Sequence, residues 1–506
     1  MLLRQLCAAL TLLSPLPDGA DLAVTSLCYD SRLADAGSLF FCLRGKVTDG
    51  HRFAAGAYRH GCRAFVAEEP LELPDDALQL QVSDSRAALA DAAALFYGHP
   101  EREIRLIGLT GTKGKTTTAL LIRGILESEG IPCGYIGTNG VYYGRRHEAT
   151  ANSTPESVEI YRILRCMADC GIRVCAVEVS SQALWMGRVR GLSFDTTLFL
   201  NLSRDHIGGV EHPDLAHYRD SKRRLFSEHT AEAMILNADD PLSPYMAEVC
   251  PAPVTAFGIT ECSDAPLPRF RGTQLRSTRR DGRFGMTFRL SCGDRTVCRE
   301  VFLPMPGAYN VQNALAALAV VCDRFGVSPL RAARALAGVT VPGRFETLTI
   351  PTLPDVTFII DYAHNGASLT AVLEALGGYA PGRLICLFGS VGGRSRERRR
   401  DLALAAAGRC DLCILTSDNP GAEPPESILS EIDAAFPENA CPRLLIPDRA
   451  EAIREAVRMA EPGDVVLLAG KGHERYQLIG TDHIPFCESD ILREAAEELA
   501  REHVEV

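Results

Sequence analysis

Long apolar runs and an excess of basic residues are both missing from this sequence of 506 residues. No stretch approaches the roughly 20 apolar residues that a membrane-spanning helix needs, which excludes an integral membrane protein of that kind. The 53 Lys and Arg residues are outnumbered by 64 Asp and Glu residues, and the net charge is −11. No domain-wide basic surface is therefore predicted for non-specific nucleic-acid binding, and any anionic ligand must bind at a local site.

Biased composition and dense cysteine spacing are absent as well. Hydrophobic residues make up 46% and charged residues 23%, which is ordinary for globular domains and excludes low complexity. The 18 cysteines are spread from Cys7 to Cys487 without the spacing of a disulfide framework, which favours a reducing compartment. Cys410 and Cys413 form the one tight pair, and with no second pair nearby we interpret them as part of a buried strand rather than a zinc site.

The N-terminus contains the one segment that resembles a targeting signal, an apolar run over residues 6–13. Its leucines also recur at helical spacing, and Pro15 and Pro17 follow where a helix would stop. We therefore predict an amphipathic first helix and a cytoplasmic protein, acting as a monomer without nucleic-acid or membrane partners.

The length predicts about three domains of the α/β class. Strands and helices alternate in a small N-terminal domain over residues 1–100, and again in a central domain over 101–341, whose continuous apolar strands are typical of a parallel sheet. Polar alternation between Arg269 and Cys298 predicts an antiparallel insertion. After Pro342 and Gly343 the alternation resumes, which predicts a third, doubly wound domain over 342–506. The principal predicted strands are 38–43, 63–67, 104–109, 174–179, 196–200, 358–361, 384–388, 412–416 and 465–469, and helices are predicted at 52–60 and 117–129.

The strongest local signal is the glycine-rich segment GLTGTKGKTTT at residues 108–118, which follows a predicted strand and precedes a predicted helix. Gly111 and Gly114 allow backbone N–H groups to approach phosphate oxygens, and the helix N-terminus adds partial positive charge. Lys115 reaches the terminal phosphates, and Thr116 is suited to ligate Mg²⁺. The common pattern has glycine in place of Leu109, but the strand–loop–helix context still predicts phosphate binding.

Ionisable residues accompany two further predicted strands. Glu178 lies inside an apolar run where a lone carboxylate is costly, so we predict that it helps to hold Mg²⁺ near nucleotide phosphates. A structural, ion-paired glutamate is the alternative. His206 follows another strand of the same sheet, and either a metal-binding role or a satisfied structural histidine fits that position.

Taken in chain order, these motifs resemble the Mur ligase family. The resemblance rests on residues 30–32, 45, 49–50, 111–118, 153–156, 178–181, 205–206, 309–313, 343–346, 361–364 and 470–474. It is strongest to the members that add the third amino acid to UDP-N-acetylmuramoyl-L-alanyl-D-glutamate in peptidoglycan precursor synthesis. It implies an N-terminal uridine-nucleotide domain, a central ATPase domain and a C-terminal Rossmann-like domain.

The resemblance implies an ADP-forming ligase that uses ATP and Mg²⁺. ATP phosphorylates a substrate carboxylate, and the amine of a free diamino acid then attacks the acyl phosphate to give an amide. Mg²⁺ and lysines neutralise the negative charges that gather in such a reaction. A Mur-like ligase with another acceptor and a non-catalytic binding paralogue are the alternatives. The retained Lys115, Thr116, Glu178, His206 and Lys222 argue against the paralogue.

The resemblance also implies roles for individual residues. The ATP-binding residues would be Gly111, Thr112, Lys113, Gly114, Lys115, Thr116, Thr117, Asn310, Asn313, Arg344 and Asp361. Ser31 would contact the uridine nucleotide, and Asn152, Ser153, Thr154, Ser181 and Arg188 would hold the sugar–peptide part. The catalytic residues would be Lys115, Glu178, His206 and Lys222. The Mg²⁺ ligands would be Thr116, Glu178, His206 and a carbamylated Lys222. Without the resemblance, Lys222 beside two arginines reads as a solvated face and Asp361 as a possible strand-end cap.

Acceptor recognition is expected in the third domain, at Arg394, Asp418, Asn419, Gly470 and Glu474. Family members that add meso-diaminopimelate typically have arginine after Asp-Asn-Pro, where a guanidinium pairs with the acceptor's distal carboxylate. This chain has Gly421 at that position. The segment DYAHNG at 361–366 also resembles the lysine-adding branch, so we favour L-lysine, with diaminopimelate and other diamines as alternatives.

Overall fold

The computed structural model describes residues 1–16, 21–45, 48–205, 207–208, 211–259, 269–379, 382–393 and 395–502. Tertiary contacts divide the chain into two compact units. The first consists of Met1–Phe270 with Ala316–Val327, and the second of Arg271–Leu315 with Ser328–Val506. Among the described residues, no helix is both long enough and apolar enough to cross a membrane.

The first unit begins with a small four-stranded parallel sheet in the order β1-β2-β3-β4. Its elements are α1 (Leu3–Cys7), β1 (Ser26–Cys28), β2 (Ser38–Phe41), a 3₁₀ turn (Gly50–Phe53), α2 (Ala54–Arg59), β3 (Ala64–Ala67), β4 (Leu78–Gln81) and α3 (Ser85–Phe96). The amphipathic first helix is shorter than its leucine spacing predicts. Leu12 forms an isolated bridge with Val82, and the Leu13 N–H donates to the Gln81 carbonyl, so strand pairing replaces helix there.

The rest of the first unit is a larger α/β sheet. Its elements are a 3₁₀ turn (Pro100–Arg102), β5 (Arg105–Thr110), α4 (Lys115–Ser128), β6 (Cys133–Gly137), β7 (Gly140–Tyr143), β8 (Arg146–Glu148), α5 (Ser157–Asp169), β9 (Val174–Glu178), α6 (Ser181–Trp185), β10 (Phe194–Phe199), α7 (Leu215–Ser227), β11 (Ala231–Asn237), α8 (Ser243–Ala247) and β12 (Val254–Gly258). The strand order is β12-β11-β10-β5-β9-β6-β7-β8, parallel from β12 to β6. The predicted parallel sheet is confirmed, and the carboxyl ends of the neighbours β10, β5 and β9 share one edge.

The second unit contains the predicted antiparallel insertion and the doubly wound sheet. Its elements are β13 (Phe270–Arg280), β14 (Arg283–Cys292), β15 (Arg295–Leu303), the first part of α9 (Ala308–Phe325), α10 (Pro329–Ala335), a 3₁₀ turn (Leu336–Gly338), β16 (Glu346–Leu348), β17 (Thr357–Asp361), α11 (Gly366–Gly377), β18 (Leu384–Phe388), α12 (Arg396–Ala407), β19 (Leu412–Leu415), α13 (Pro425–Asp433), β20 (Arg443–Leu445), α14 (Arg449–Met459), β21 (Val465–Ala469), β22 (Tyr476–Ile479), β23 (Asp482–Pro485) and α15 (Glu488–Glu502). The residues of α9 from Ala316 onward belong to the first unit. β14 and β15 pair antiparallel, as predicted.

The six-stranded sheet of the second unit has the order β16-β17-β21-β18-β19-β20, and only β16 runs antiparallel. Both of its faces are covered, because alternate residues of one strand enter different hydrophobic clusters. Ile359 packs in one cluster, while its neighbours Phe358 and Ile360 pack in the other. Cys413 is buried in β19, which confirms the buried-strand interpretation for this cysteine, whereas Cys410 is buried just before the strand begins.

Candidate active site

The predicted phosphate loop connects β5 to α4 at the carboxyl edge of the first unit's large sheet. α4 begins directly after Gly114, whose φ of 86° favours glycine. The loop is braced from β10's carboxyl end by Asn201. Its amide oxygen accepts from the Lys113 N–H (2.9 Å) and its amide nitrogen donates to the Lys113 carbonyl (3.1 Å). The loop before α4 is therefore held in one conformation, which suits phosphate binding by the N–H groups at the start of that helix.

Two lysine side chains meet on one carbonyl of this loop. Lys115 Nζ donates to the carbonyls of Gly111 (2.8 Å) and Thr112 (3.2 Å), and Lys222 Nζ, from α7, donates to Gly111 at 2.9 Å. Lys222 is 1% exposed, so its interpretation as part of a solvated face is wrong. Burial, reinforced by the charge of Lys115 and opposed by Asp205, holds the pKa of Lys222 well below its ordinary value. The Lys115 ammonium and the Lys222 amine both offer N–H donors to an anion placed between them.

Glu178 ends β9 beside the loop and is 1% exposed. Its Oε1 accepts hydrogen bonds from the Tyr135 hydroxyl (2.5 Å) and the Thr138 N–H (3.1 Å), and its Oε2 accepts one from the Thr138 hydroxyl (3.0 Å). These donors stabilise a buried carboxylate without a cation, and no Lys or Arg of the described chain forms an ion pair with it. The sequence analysis did not include Tyr135 or Thr138, because neither carries a charge or belongs to a recognised motif.

A cavity of about 160 Å³ adjoins the two lysines. The predicted site residues among its lining are Lys115, Asn152, Ser153, Thr154, Ser181, Arg188 and Lys222. The structure thus brings seven of the residues implied by the resemblance to one space. The remaining wall is polar and includes Ser180, Gln182, Glu211 and His212.

Buried partners fix the polar wall of this cavity. Arg188 donates from Nε to Glu156 Oε1 (3.0 Å) and from Nη1 to the Thr154 carbonyl (3.1 Å). The Ser181 hydroxyl lies 2.9 Å from His212 Nε2, and His212 Nδ1 lies 2.8 Å from Nδ1 of a second histidine, His217. Sequence reasoning missed both histidines, since neither His212 in its loop nor His217 in the first turn of α7 belongs to a motif that signals this contact.

Some predicted residues lie apart from this cavity or outside the described structure. Ser31 is in the turn that follows β1, where its carbonyl accepts from His60 Nδ1 (2.7 Å), and it is not part of the cavity lining. His206 and Arg394 lie outside the described residues, so their roles stay predictions. Within the ranges that the structure describes, no group of three or more His, Cys, Asp or Glu side chains could hold a metal ion.

The second unit gathers charged residues at the carboxyl ends of β19 and β21. Lys471, fully buried, donates to Asn419 Oδ1 (2.9 Å) and Glu474 Oε2 (3.1 Å), and the Asn419 amide donates to the same Glu474 oxygen (2.8 Å). Asp418 lies 3.9 Å from Lys471, and burial raises the pKa of its carboxyl against the opposing effect of Lys471. Gly470 approaches Asp418 so closely that a Cβ there would lie 3.1 Å from Oδ2. Lys471 lies within the segment 470–474, one of those on which the family resemblance rests.

Tyr362 connects the predicted nucleotide-binding residues Arg344 and Asp361 with the charged residues at the carboxyl ends of β19 and β21. Asp361 Oδ2 accepts from the Phe345 N–H (2.8 Å), which is the bond that a strand-end cap would make. Burial raises the pKa of Asp361, and Arg344 opposes that shift. The Arg344 guanidinium lies 4.6 Å from the Tyr362 ring centroid, and the Tyr362 hydroxyl donates to Glu474 Oε1 at 3.3 Å. One tyrosine therefore links a predicted nucleotide-binding arginine to a predicted acceptor-binding glutamate.

The two predicted asparagines contact each other in the first turns of α9. Asn310 Nδ2 donates to the Pro306 carbonyl (2.7 Å), and Asn313 Nδ2 donates to Asn310 Oδ1 (3.2 Å). Both side chains are buried. Their proposed contact with the nucleotide stays a prediction.

We expect Gly343→Ala to destabilise the second unit by about 2–4 kcal/mol. Gly343 has a φ of 66°, and a Cβ there would lie 2.1 Å from the His473 backbone nitrogen. Gly421 is a matched control, because its φ is 59° and nothing lies within 4 Å of its added Cβ. Gly421→Ala should therefore cost only about 1 kcal/mol, from backbone strain alone. Urea unfolding midpoints of both variants check this. Equal midpoints would contradict the packing of the 343 turn on the 472–473 loop.

Together these features define a class, the α/β proteins that bind nucleotide phosphates through a strand–loop–helix at a parallel-sheet edge. Three family models match successive parts of the chain. The Mur ligase family catalytic domain matches residues 23–97, the Mur ligase middle domain 109–321, and the Mur ligase glutamate ligase domain 343–472. The chain belongs to the Mur ligase family, and it is a ligase with the three-domain α/β architecture of that family.

Named relatives and solved structures cover nearly the whole chain. The UDP-N-acetylmuramoyl-L-alanyl-D-glutamate–2,6-diaminopimelate ligase of Geobacillus kaustophilus (strain HTA426) is 41% identical over 97% of this chain and 99% of its own length. The ligase of the same name from Chlorobaculum tepidum is 38% identical, with 92% and 91% covered. A solved diaminopimelate ligase of that name superposes with a TM-score of 0.64 at 27% identity, covering 94% of this chain and 95% of its own. Thermotoga maritima MurF ligase in complex with ADP shares the fold, with a TM-score of 0.61 at 18% identity over 96% and 99% of the two chains.

Proposed function

We propose that this ligase uses ATP to join a free diamino acid to UDP-N-acetylmuramoyl-L-alanyl-D-glutamate, in the cytoplasm, through an acyl phosphate. The observation that carries the proposal is the cavity in which Lys115 and Lys222 share a lining with Asn152, Thr154 and Arg188. One end of that space suits phosphate, and the other offers the hydrogen-bonding groups that a sugar–peptide needs. The relatives named for this dipeptide substrate support the same conclusion.

Phosphoryl transfer to the carboxylate demands that several negative charges be brought together. The loop N–H groups and the Lys115 ammonium would offset the charge on the terminal phosphates. Thr116 and Glu178, with His206, would hold Mg²⁺, which supplies further positive charge when bound. The fit is chemically sound because Mg²⁺ is usually held by one or two protein oxygens in addition to phosphates, and the buried carboxyl group of Glu178 is oriented by hydrogen bonds from Tyr135 and Thr138.

Lys222 is suited to become the carbamate that the resemblance implies. Burial lowers the pKa of the Lys222 amine, which favours its uncharged, nucleophilic form. Its attack on CO₂ forms a C–N bond and releases a proton, leaving an anion. That anion would replace a repulsive contact with Lys115 by an attractive one and would help to hold Mg²⁺.

The acceptor residues would then select the amino acid. Arg188 and Ser181 would hold the sugar–peptide in place, while the Asp418 and Glu474 carboxylates attract the ammonium groups of a diamino acid. The amine must lose a proton before it attacks the acyl carbon, and attack expels phosphate. The amide that results is the product.

We propose meso-diaminopimelate as the acceptor, because the relatives are named for it. This acceptor was the alternative in the sequence analysis, which favoured L-lysine. Gly421 has no cation for the distal carboxylate, and its backbone is fixed by pairing with Leu478 (3.1 Å) and Gly480 (2.7 Å). Arg398 is a suitable substitute. Its guanidinium donates to the His364 carbonyl at 2.9 and 3.1 Å, and it lowers the pKa of Asp418, which places it near the acceptor residues.

The parent protein should have a higher kcat/KM for meso-diaminopimelate than for lysine. Arg398→Ala should reduce kcat/KM for diaminopimelate by about 10- to 100-fold and leave that for lysine within about threefold, because only diaminopimelate has a distal carboxylate. Arg400→Ala, which removes an exposed arginine of the same helix, is the control. A parent preference for lysine would restore the lysine interpretation.

A phosphate-release assay tests the proposed function as a whole. Turnover should require ATP, UDP-N-acetylmuramoyl-L-alanyl-D-glutamate and an amino acid together, with diaminopimelate, lysine and ornithine compared in parallel. UDP-N-acetylmuramoyl-L-alanine, which lacks the glutamyl carboxylate, is the matched control substrate. Equal phosphate release with that control would overturn the assignment of the carboxylate substrate.

A further inference from the structure

A buried arginine at the start of α14 connects two loops that carry predicted acceptor-binding residues. The Arg449 side chain is 0% exposed. It donates from Nη1 to the Ser417 carbonyl (3.0 Å) and from Nη2 to the Ala469 carbonyl (2.9 Å). Ser417 directly precedes Asp418, and Ala469 directly precedes Gly470. A single guanidinium therefore spans the carboxyl ends of β19 and β21, which flank β18 in the sheet.

Glu488, the first residue of α15, holds this guanidinium in place. Its Oε1 accepts from Arg449 Nε (2.9 Å) and Nη2 (2.7 Å), and both side chains are almost completely buried. Its Oε2 makes no hydrogen bond within the described part of the chain. A buried pair of this kind adds little net stability over apolar packing, but it fixes geometry, and the removal of one partner leaves an uncompensated charge.

Charged side chains of both signs surround the acceptor residues. The buried cations are Arg449 and Lys471, and the carboxylates are Asp418, Glu474 and Glu488. Arg398 adds a third cation near Asp418, so the position of each cation decides which carboxylate can attract an ammonium group of the acceptor. Burial raises the pKa of both Asp418 and Glu488, and the charge of Arg449 opposes both shifts.

We propose that Arg449 is a positioning residue for the amino-acid acceptor, held in its orientation by Glu488. By binding the main chain before Asp418 and before Gly470, it fixes the acidic side of the acceptor site relative to Lys471. The inference rests on the proposed function, because the acceptor is the ligand for which these loops must be placed. A lysine ammonium cannot reproduce the planar set of four contacts, so a positive charge alone cannot replace the Arg449 guanidinium.

Steady-state kinetics of Arg449→Lys and Glu488→Gln test the proposal. We expect KM for the amino acid to rise about tenfold or more in Arg449→Lys and severalfold in Glu488→Gln, while KM for ATP stays within about twofold. The matched control is Arg458→Lys on the same helix, where an exposed arginine pairs with Glu451 and Glu455, and it should match the parent. Glu488→Gln retains Arg449 and an accepting oxygen, so it provides the test if Arg449→Lys does not fold.

The pH dependence separates positioning of the site from general loss of structure. Asp418 faces Lys471, Arg449, Glu474 and Arg398, and the removal of Arg449's charge raises the pKa of Asp418. In Arg449→Met, the acid limb of kcat/KM for the amino acid should therefore move to higher pH, while that for ATP should not move.

Three outcomes would contradict the positioning role of Arg449 or the function on which it rests. Unchanged KM for the amino acid in an active, folded Arg449→Lys enzyme would overturn the positioning role and leave the ligase function intact. Equal losses for ATP and the amino acid, with unshifted pH profiles, would also overturn it, in favour of a purely structural role. A parent that turns over no amino acid at all would instead refute the proposed function.

Discussion

Lys115→Ala is expected to lower kcat of the ligase by at least about 10³-fold while the protein remains folded. The Lys115 ammonium, from the first residue of α4, donates to the carbonyls of Gly111 and Thr112 in the phosphate loop. Its loss would leave the charge that develops on the terminal phosphates without its main protein partner. Phosphate release under saturating substrates measures the effect, and circular dichroism checks the fold.

Arg123→Ala is the matched control for this experiment. Arg123 is a cation on the same helix, but its partner is Glu127 at 2.7 Å, away from the loop. Its removal should change kcat less than about threefold. If the folded Lys115→Ala protein turned over ATP at the parental rate, the assignment of the phosphate loop would be wrong.

Lys222→Ala should be nearly inactive, with a loss of about 10²-fold or more, and should be partly rescued by acetate or formate. The reason is that Lys222 is proposed to act as a carbamate anion, and a small carboxylate supplies a comparable anion in the space left by the side chain. The burial of Lys222 and its depressed pKa make the uncharged amine available for CO₂. Turnover as a function of acetate concentration is the measurement.

A neighbouring residue on α7 controls for disturbance of the helix. Arg224 is partly exposed and lies 3.6 Å from Glu228, so Arg224→Ala should retain activity and show no response to acetate. Mass spectrometry of the intact parent in bicarbonate at alkaline pH should show an adduct of one CO₂ that is missing from Lys222→Ala. Full activity in Lys222→Ala would exclude any catalytic role for this residue.

Much of the fold could be predicted from the sequence where the hydrophobic pattern is local. The limits of β18 and β21 agree with the predicted strands, because each is a continuous apolar run bounded by polar or glycine residues. α4 begins two residues earlier than predicted, since the helix starts at Lys115 directly after Gly114. The first helix was predicted too long because spacing cannot reveal that Leu12 pairs with Val82.

The candidate site was harder to predict because its supporting contacts join distant parts of the chain. Its position inside an apolar run indicated Glu178, but its donor Tyr135 lies 43 residues earlier in the sequence. Composition alone places Lys222 on a charged helix face, and only the packing of α7 brings its amine to Gly111. Arg449 and Glu488 match no motif and are separated by 39 residues, so only the folded chain shows that they act together.

Oxygen transfer from the dipeptide carboxylate tests the central claim most directly. The substrate UDP-N-acetylmuramoyl-L-alanyl-D-glutamate, labelled with ¹⁸O in the reacting carboxylate, would be turned over with ATP and meso-diaminopimelate, and the phosphate analysed by mass spectrometry. The proposed acyl phosphate predicts one ¹⁸O atom in each phosphate released from fully labelled substrate, because the carboxylate oxygen that attacks ATP leaves with the phosphorus. Amide product accompanied by unlabelled phosphate would contradict the account.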